Sequence, residues 1–324
     1  MLRSTIYIII INWNQRGLLF ECLRALMLQT IPPDRITVVD NGSSDGSVEK
    51  VSVQFPEVQL IALDRNTGFA AANNIALAKC RSRYVALINN DTIAEPDWLE
   101  NLVGAMEARP EVGMAASKMV CDRDPTIIDR VGDSYSIMGA GVLRGRGAPA
   151  GLFSKQEKIF GACAGAAVYR KEMLDRIGLF DEDFFLINED VDLSFRAQLA
   201  GYQCLFVPEA IVQHKASQTI GRDSDTSVYY GHRNLEWVYL KNMPTPLILA
   251  TLIPHMIYIL LSGAYFLSIG KGRIYMQAKL DALKSLKQML AKRRVIQRDR
   301  RVSLLYLWKL LTFENPVRRL AARR

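Results

Sequence analysis

Hydrophobic positions in the first half of the chain follow two alternating rhythms. Residues 5–11 form an unbroken and largely β-branched run, the pattern of a strand buried on both faces. Residues 17–29 then place Leu18, Leu19, Cys22, Leu23, Leu26 and Met27 at helical spacing. The alternation continues with strands predicted over 36–39, 58–63 and 84–88, and helices over 47–55, 68–79 and 98–108. Glu95-Pro96-Asp97 suits the start of the last of these helices. This βαβα order predicts an α/β fold, a mainly parallel Rossmann-like sheet flanked by helices on both faces. Ligands of such sheets collect beyond the carboxyl ends of the strands. Asp40 and Asp91 both stand there, after the second and fourth predicted strands.

The rhythm breaks at residues 121–158. Asp122-Arg123-Asp124-Pro125 is followed by Gly139, Gly141, Gly145, Gly147, Pro149 and Gly151, which predicts a mobile excursion over the site rather than a domain boundary. Beyond it the pattern predicts a short helix over 171–177, a longer one over 190–200 and a strand near 210–213.

Composition excludes global disorder: 49% of the 324 residues are hydrophobic and 23% charged. Charge changes the picture more. Residues 271–324 hold 16 Lys/Arg against 3 Asp/Glu, so this tail carries +13 of a chain total of +8, and the body carries −5. Such a tail calls for a polyanion, either nucleic acid or anionic lipid. Residues 247–269, just before it, contain no Lys, Arg, Asp or Glu and are long enough to reach across a bilayer. A nucleic-acid partner would leave that stretch unexplained, so an anionic membrane surface is expected and nucleic acid is not. The five cysteines, Cys22, Cys80, Cys121, Cys163 and Cys204, are odd in number and scattered, which predicts a reducing compartment and neither a disulfide framework nor a zinc site. The apolar run 6–11 is too short for a signal-peptide core, so the body is expected in the cytoplasm.

Four polar landmarks carry candidate chemistry, and each has a plainer reading. Asp40-Asn41-Gly42-Ser43-Ser44-Asp45-Gly46 joins a strand to a helix; Asp40 can accept from a pyrimidine N–H, while the plainer reading is a tight turn with Asp45 as helix cap. Arg65-Asn66-Thr67-Gly68-Phe69 opens a helix whose N-terminus attracts anions, with Arg65 to neutralise diphosphate; otherwise Arg65 is simply solvated. Asn89-Asn90-Asp91-Thr92 closes an apolar strand, and Asp91 is either a hard oxygen ligand or the cap of a turn. Glu189-Asp190-Val191-Asp192 places three acids in four positions, more than a helix start needs, with Asp192 and Arg196 spaced for an ion pair. A late lone His214 is a structural residue or a metal ligand.

In this order the landmarks resemble the inverting family 2 glycosyltransferases, over roughly residues 4–240. The resemblance implies a GT-A-type catalytic domain over 1–242 and a helical, membrane-associating region over 243–324. It implies a nucleotide-sugar pocket containing Asn12, Asn14, Asp40, Asn41, Arg65, Asn66, Gly68, Asn89, Asn90 and Asp91, with Arg233 near the diphosphate. Family members hold Mg²⁺ or Mn²⁺ with an Asp-x-Asp motif; here only its last acid survives, as Asp91, and His214 is the expected second ligand. The match to the family's Glu-Asp pair assigns the catalytic base to Asp190, with Glu189 as its substitute. The body looks most like the bacterial rhamnosyltransferases, implying a dTDP-sugar donor, although UDP-hexose enzymes share every motif quoted; the acceptor implied is a lipid-linked or cell-surface glycan.

Two rival readings remain. A nucleotidyltransferase would carry a glycine-rich basic loop after the first strand, where Asn12-Trp13-Asn14 stands instead. A non-catalytic nucleotide- or membrane-binding scaffold would explain Asn89 but not the intact Glu189-Asp190 pair.

For the tail, a single span would place +13 on the outer side of the membrane, against the positive-inside tendency, and Pro254-His255 interrupts the apolar stretch. A re-entrant or interfacial element on the cytoplasmic face is therefore expected. Met276, Leu280, Leu283, Leu286 and Leu290 recur at helical spacing among lysines, with Lys287 intruding, and a second apolar segment over 304–311 holds Trp308 between Arg300-Arg301 and Arg318-Arg319. The plainer alternative is a hydrophobic helix buried against the body or in a dimer contact.

Overall fold

Strand β1 (Ile6–Asn12) explains the unbroken apolar run: Ile6, Ile8 and Ile10 enter one core, Tyr7 and Ile9 the other. The computed structural model describes residues 5–215, 221 and 223–313. On one face α1 (Arg16–Met27) buries Leu19, Cys22, Leu23 and Leu26, the stripe its spacing predicts. Full burial of each leucine is worth about 1.5–3 kcal/mol. β1 pairs in parallel with β2 (Arg35–Asp40), and β2 with β3 (Gln59–Ala62), joined through α2 (Ser47–Gln54). On the opposite face lies α3 (Gly68–Leu77), whose Ala70, Ala72 and Ala76 allow a close approach to the sheet.

The chain then returns to the other side of β1, where β4 (Tyr84–Ile88) also pairs in parallel. The crevice between outward-going and returning strands therefore opens at the ends of β1, β2 and β4. A short β5 (Thr92–Ala94) and α4 (Trp98–Glu107) lead into β6 (Val112–Cys121).

Residues 121–158 are built, not loose. They form β7 (Asp124–Arg130), β8 (Asp133–Ser136), β9 (Gly141–Leu143) and β10 (Glu157–Ile159). Ile128, Val131, Tyr135 and Met138 are buried there, and these scattered apolar residues are what fasten the glycine-rich segment down. β11 (Ala166–Arg170) inserts antiparallel between β4 and β6, followed by α5 (Lys171–Ile177) and α6 (Glu189–Leu199). β12 (Gln203–His214) runs parallel to β6 and antiparallel to β5 and β10. Across the main sheet the order is β10–β12–β6–β11–β4–β1–β2–β3.

The remaining helices are α7 (Asp225–Asn242), α8 (Thr245–Ser268), α9 (Gly272–Lys284), α10 (Leu286–Arg298) and α11 (Leu304–Leu310). They share a third core with the body, in which Ala282, Met289, Leu307 and Leu311 meet Phe184, Phe195 and Trp237. A last strand, β13 (Leu311–Thr312), pairs with β8 in a small three-stranded sheet completed by β9. α8 is one continuous helix through Pro254, long and apolar enough to cross a membrane. Arg318 and Arg319 lie outside the described residues.

Candidate active site

A cavity of about 890 Å³ opens at the carboxyl ends of β1, β2 and β4 and is closed over by β7, the α6 N-terminus and the first turns of α7. One wall belongs to the two turns after β2 and β3. Asn41 ties them together: its Oδ1 accepts from the Thr67 N–H at 2.8 Å, and its Nδ2 donates to Asn66 Oδ1 at 3.0 Å and the Gly68 carbonyl at 3.2 Å. Asn41, Asn66 and Gly68 all line the cavity. Gly68 has φ +85°, and a Cβ there would lie 2.5 Å from the Phe185 ring, so glycine is required twice over. The α3 N-terminus is not open to an anion, because the Phe69 and Ala70 N–H groups donate to the Phe185 carbonyl at 2.7 and 3.2 Å.

Asp40 and Asn12 stand behind this wall rather than on it. Asn12 Nδ2 donates to Asp40 Oδ2 at 2.9 Å, and Ser43 N–H donates to Asp40 Oδ1 at 2.8 Å. Asn12 Oδ1 accepts from Asn90 Nδ2 at 2.8 Å, so three strand ends are laced by one buried network. Asn14 braces the same turn, accepting from the Ser44 N–H at 2.8 Å. Arg65 and Asn14 do not line the cavity. Arg233 is also turned away: its Nη2 donates to the Asp183 and Phe184 carbonyls at 2.9 and 3.1 Å, and its guanidinium lies 4.0 Å from the Trp237 ring centre.

The opposite wall carries the titratable groups. Asn89, Asn90 and Asp91 line it, and β12 brings His214 alongside through the pairing of Thr92 with His214. His214 Nε2 lies 3.4 Å from Asp91 Oδ1, while Nδ1 lies 2.9 Å from Asp129 Oδ2. Burial opposes the charged imidazole, but the Asp129 and Asp91 carboxylates prevail and raise His214 to about 9. Asp91 Oδ1 is buried and makes no hydrogen bond tighter than the 3.4 Å approach of His214 Nε2. Among the described residues no three His, Cys, Asp or Glu side chains converge as a complete metal cage.

Glu189 and Asp190 enter the cavity from the α6 N-terminus. The approach to that helix is strained: Phe185, Ile187 and Asn188 have φ of 64°, 65° and 71°. Asn234 Nδ2 holds this segment by donating to the carbonyls of Phe184, Leu186 and Ile187 at 2.9, 2.8 and 2.7 Å. Asp190 Oδ2 accepts from the Ala164 N–H at 3.3 Å and lies 3.9 Å from Arg130 Nη1. Burial, with the charge of Asp190 beside it, pushes the Glu189 carboxyl well above the usual range. Burial likewise raises Asp133 to about 7, against the pull of Arg130. Asp192 faces the other way. Burial would raise it, yet Lys241 and Arg196 hold it at about 2, with Lys241 Nζ at 2.7 Å and Arg196 Nε at 2.9 Å. The three acids thus separate into two that face the cavity and one that locks α6 to α7.

Asp129, Arg130 and Asp133 are additions to the residues expected from sequence. All three lie in the glycine-rich stretch expected to cover the site, but nothing in their spacing distinguishes them from solvated charges.

The sequence from residue 7 to 178 matches the family model described as Glycosyl transferase family 2. The chain belongs to glycosyl transferase family 2. This family 2 chain is 26% identical over 235 residues to the N-acetylglucosaminyl-diphospho-decaprenol L-rhamnosyltransferase of Mycobacterium tuberculosis, covering 65% of this chain and 76% of that one. It is 25% identical over 232 residues to the O-antigen chain rhamnosyltransferase RfbN of Salmonella typhimurium, covering 69% and 72%. Among solved structures the fold is similar to the mannosyltransferase PcManGT of Pyrobaculum calidifontis in complex with GDP-Man and Mn²⁺, at TM-score 0.57 and 18% identity over 100% of this chain and 86% of that one. It is also similar to S. aureus TarS 1–349 in complex with UDP, at TM-score 0.55 and 16% identity over 91% and 88%. The family 2 chain is thus a rhamnosyltransferase-like glycosyltransferase with a GT-A-like mixed sheet. The scaffold and nucleotidyltransferase readings give way to an enzyme of this family.

Proposed function

We propose that this glycosyltransferase moves a rhamnose-like deoxyhexose or a hexose, with inversion, from a dTDP- or UDP-sugar to a lipid-linked glycan. The observation that carries the reading is the facing of two walls across one cavity: the Asn41–Asn66–Gly68 turns on one side, Asp91 and Asp190 on the other. The nucleotide lies between the walls, where Asn41 and Asn66 on the first and the amides of Asn89 and Asn90 on the second offer donors and acceptors to base and ribose. Asp40 and Asn12 act through the turn they brace.

Asp190 is the base. As the acceptor hydroxyl oxygen attacks the anomeric carbon, its proton passes to the Asp190 carboxylate, the bond from that carbon to the diphosphate oxygen breaks, and nucleoside diphosphate leaves. Burial and the neighbouring Asp190 charge disfavour the ionised form of Glu189. Asp91 and His214 Nε2, 3.4 Å apart, would hold a divalent cation, Mg²⁺ or Mn²⁺, once the His214 proton is displaced. When bound, such a cation offsets the charge that develops on the leaving diphosphate. PcManGT and GalNAc-T7, two neighbours in fold, are each described with Mn²⁺. The lipid-linked acceptor is supported by the relatives' names and by the apolar C-terminal helix. Residues 1–242 are the catalytic unit and 243–324 the part that seats it on the cytoplasmic face of the membrane.

Calorimetric titration of dTDP, UDP and GDP, with and without Mn²⁺, tests the donor reading. Metal-dependent binding of dTDP or UDP that is lost in Asp91→Ala is the expected result. Folded protein that binds none of the three overturns it.

A further inference from the structure

α8 has its polarity inside out. The face turned to the protein carries Leu247, Thr251, His255, Tyr258, Ser262 and Phe266, four of them polar. The face turned outward is aliphatic: Leu249 is 70% exposed, Ile253 73%, Leu260 68% and Leu267 73%, with Leu252, Met256 and Ile257 filling the stripe between them. A helix on a water-facing surface has the opposite arrangement. An apolar stripe of this extent needs a covering phase.

The inward contacts decide how that phase lies. Tyr239 donates to the Ile248 carbonyl at 3.2 Å and its hydroxyl lies 2.9 Å from Thr251 Oγ1. One turn on, His255 Nε2 lies 3.0 Å from Glu236 Oε2. At the far end Phe266 packs on His232, Val228 and Tyr275. α8 therefore runs antiparallel to α7, bridged to it by these side chains, and α9 packs against both helices, with its Lys279 pairing to the same Glu236. If α8 crossed a bilayer, Glu236, Lys279 and the cavity-lining turn of α7 would enter the hydrocarbon with it, at the cost that intramembrane charges carry.

We infer that α8 lies in the plane of an anionic membrane, its outward aliphatic face sunk in one leaflet, and that this seats the rim of the active-site cavity at the lipid surface. Charge supports lipid over other coverings: residues 271–313 carry 12 Lys/Arg against 2 Asp/Glu, and Arg273, Lys287 and Arg294 are exposed. The link to the cavity is α7. Its Ser224, Thr226 and Tyr230 line the cavity, and Tyr265 near the end of α8 donates to Asp223 Oδ2 at 3.1 Å, just before them. A glycan on a lipid anchor then reaches Asp190 without leaving the leaflet. This consequence rests on the proposed lipid-linked acceptor; the docking itself does not.

The test is co-sedimentation of the full chain with phosphatidylcholine vesicles, with and without phosphatidylglycerol. Wild type is expected on the anionic vesicles and to be stripped from them by alkaline carbonate. Leu249→Asp/Ile253→Asp, at exposed positions, is expected to bind about 100-fold more weakly. Nucleotide binding measured on the same samples reports that the variant is folded and tests the donor reading separately. Vesicle binding unchanged in the variant overturns the inference, as does wild type that resists carbonate. So does a wild-type dimer in solution that the variant dissolves while neither binds vesicles, since the face would then belong to a second copy.

Discussion

Asp129 and His214 meet at 2.9 Å through Oδ2 and Nδ1, which leaves the other imidazole nitrogen, Nε2, turned toward Asp91. A carboxylate behind an imidazole fixes its ring and tautomer. Because His214 is raised to about 9, a cation at Nε2 must displace a proton at neutral pH. Apparent Mn²⁺ affinity is expected to rise up to about tenfold per pH unit from pH 6 to 8, read by calorimetry in the presence of nucleotide. A flat profile would remove His214 from the metal shell.

The same pair sets a stability term. A histidine whose folded value lies above its ordinary 6.5 stabilises the protein fully below that pH and loses the contribution as pH rises through about 9. The full term is on the order of 3 kcal/mol. Urea unfolding without metal at pH 6 and pH 9.5 is expected to show a larger drop for wild type than for Asp129→Asn. Equal drops would mean that Asp129 does not hold the imidazolium.

Asp190 and Glu189 are adjacent but not equivalent. Asp190→Asn is expected to lower kcat by about 10²–10⁴ with nucleotide affinity unchanged. Glu189→Gln replaces a carboxyl whose ionised form burial disfavours and is expected to stay within about threefold of wild type. Steady-state kinetics on both variants, with calorimetry alongside, checks the assignment; a reversed order exchanges the roles.

Gly68→Ala puts a methyl group 2.5 Å from the Phe185 ring at φ +85°. A loss of about 1–3 kcal/mol is expected, together with weaker nucleotide binding, because the turn carrying Asn66 must shift. Thermal melts and calorimetry on the same sample separate the two effects. A variant as stable as wild type would show that the Phe185 segment yields readily.

Lys241 is buried between Asp181 and Asp192, at 2.6 and 2.7 Å. Lys241→Met removes the cation that bridges them and leaves Asp192 to Arg196 and Asp181 to Lys292, for an expected loss of about 1.5–3 kcal/mol in urea unfolding. The Asp192 proton should then leave at a higher pH than its present value of about 2, which carbon-detected NMR of the side chain would follow.

The alternation of apolar runs and helical stripes was enough to place β1, α1, β2, α3 and β4 within a few residues, because burial on both faces of a parallel sheet writes a strong local signal. The turn residues at the ends of those strands were legible for the same reason: only the chain ends of such a sheet leave room for polar, glycine-rich sequence. The ion pair of Asp192 with Arg196 was equally local, one helical turn apart. What the tertiary structure alone decided is non-local. Asp129 and Arg130 reach the cavity because β7 pairs with β6, and Asp133 because it bridges to Gly161, registers that depend on scattered apolar residues such as Ile128 and Tyr135. Arg233 has the composition of a phosphate ligand, yet the Trp237 ring and two carbonyls claim its guanidinium. The hydropathy of residues 247–269 admitted a spanning, an interfacial or a buried helix. The tertiary fold narrows it, since only the packing of Thr251 and His255 against α7 assigns one face of the stripe to protein and leaves the other bare.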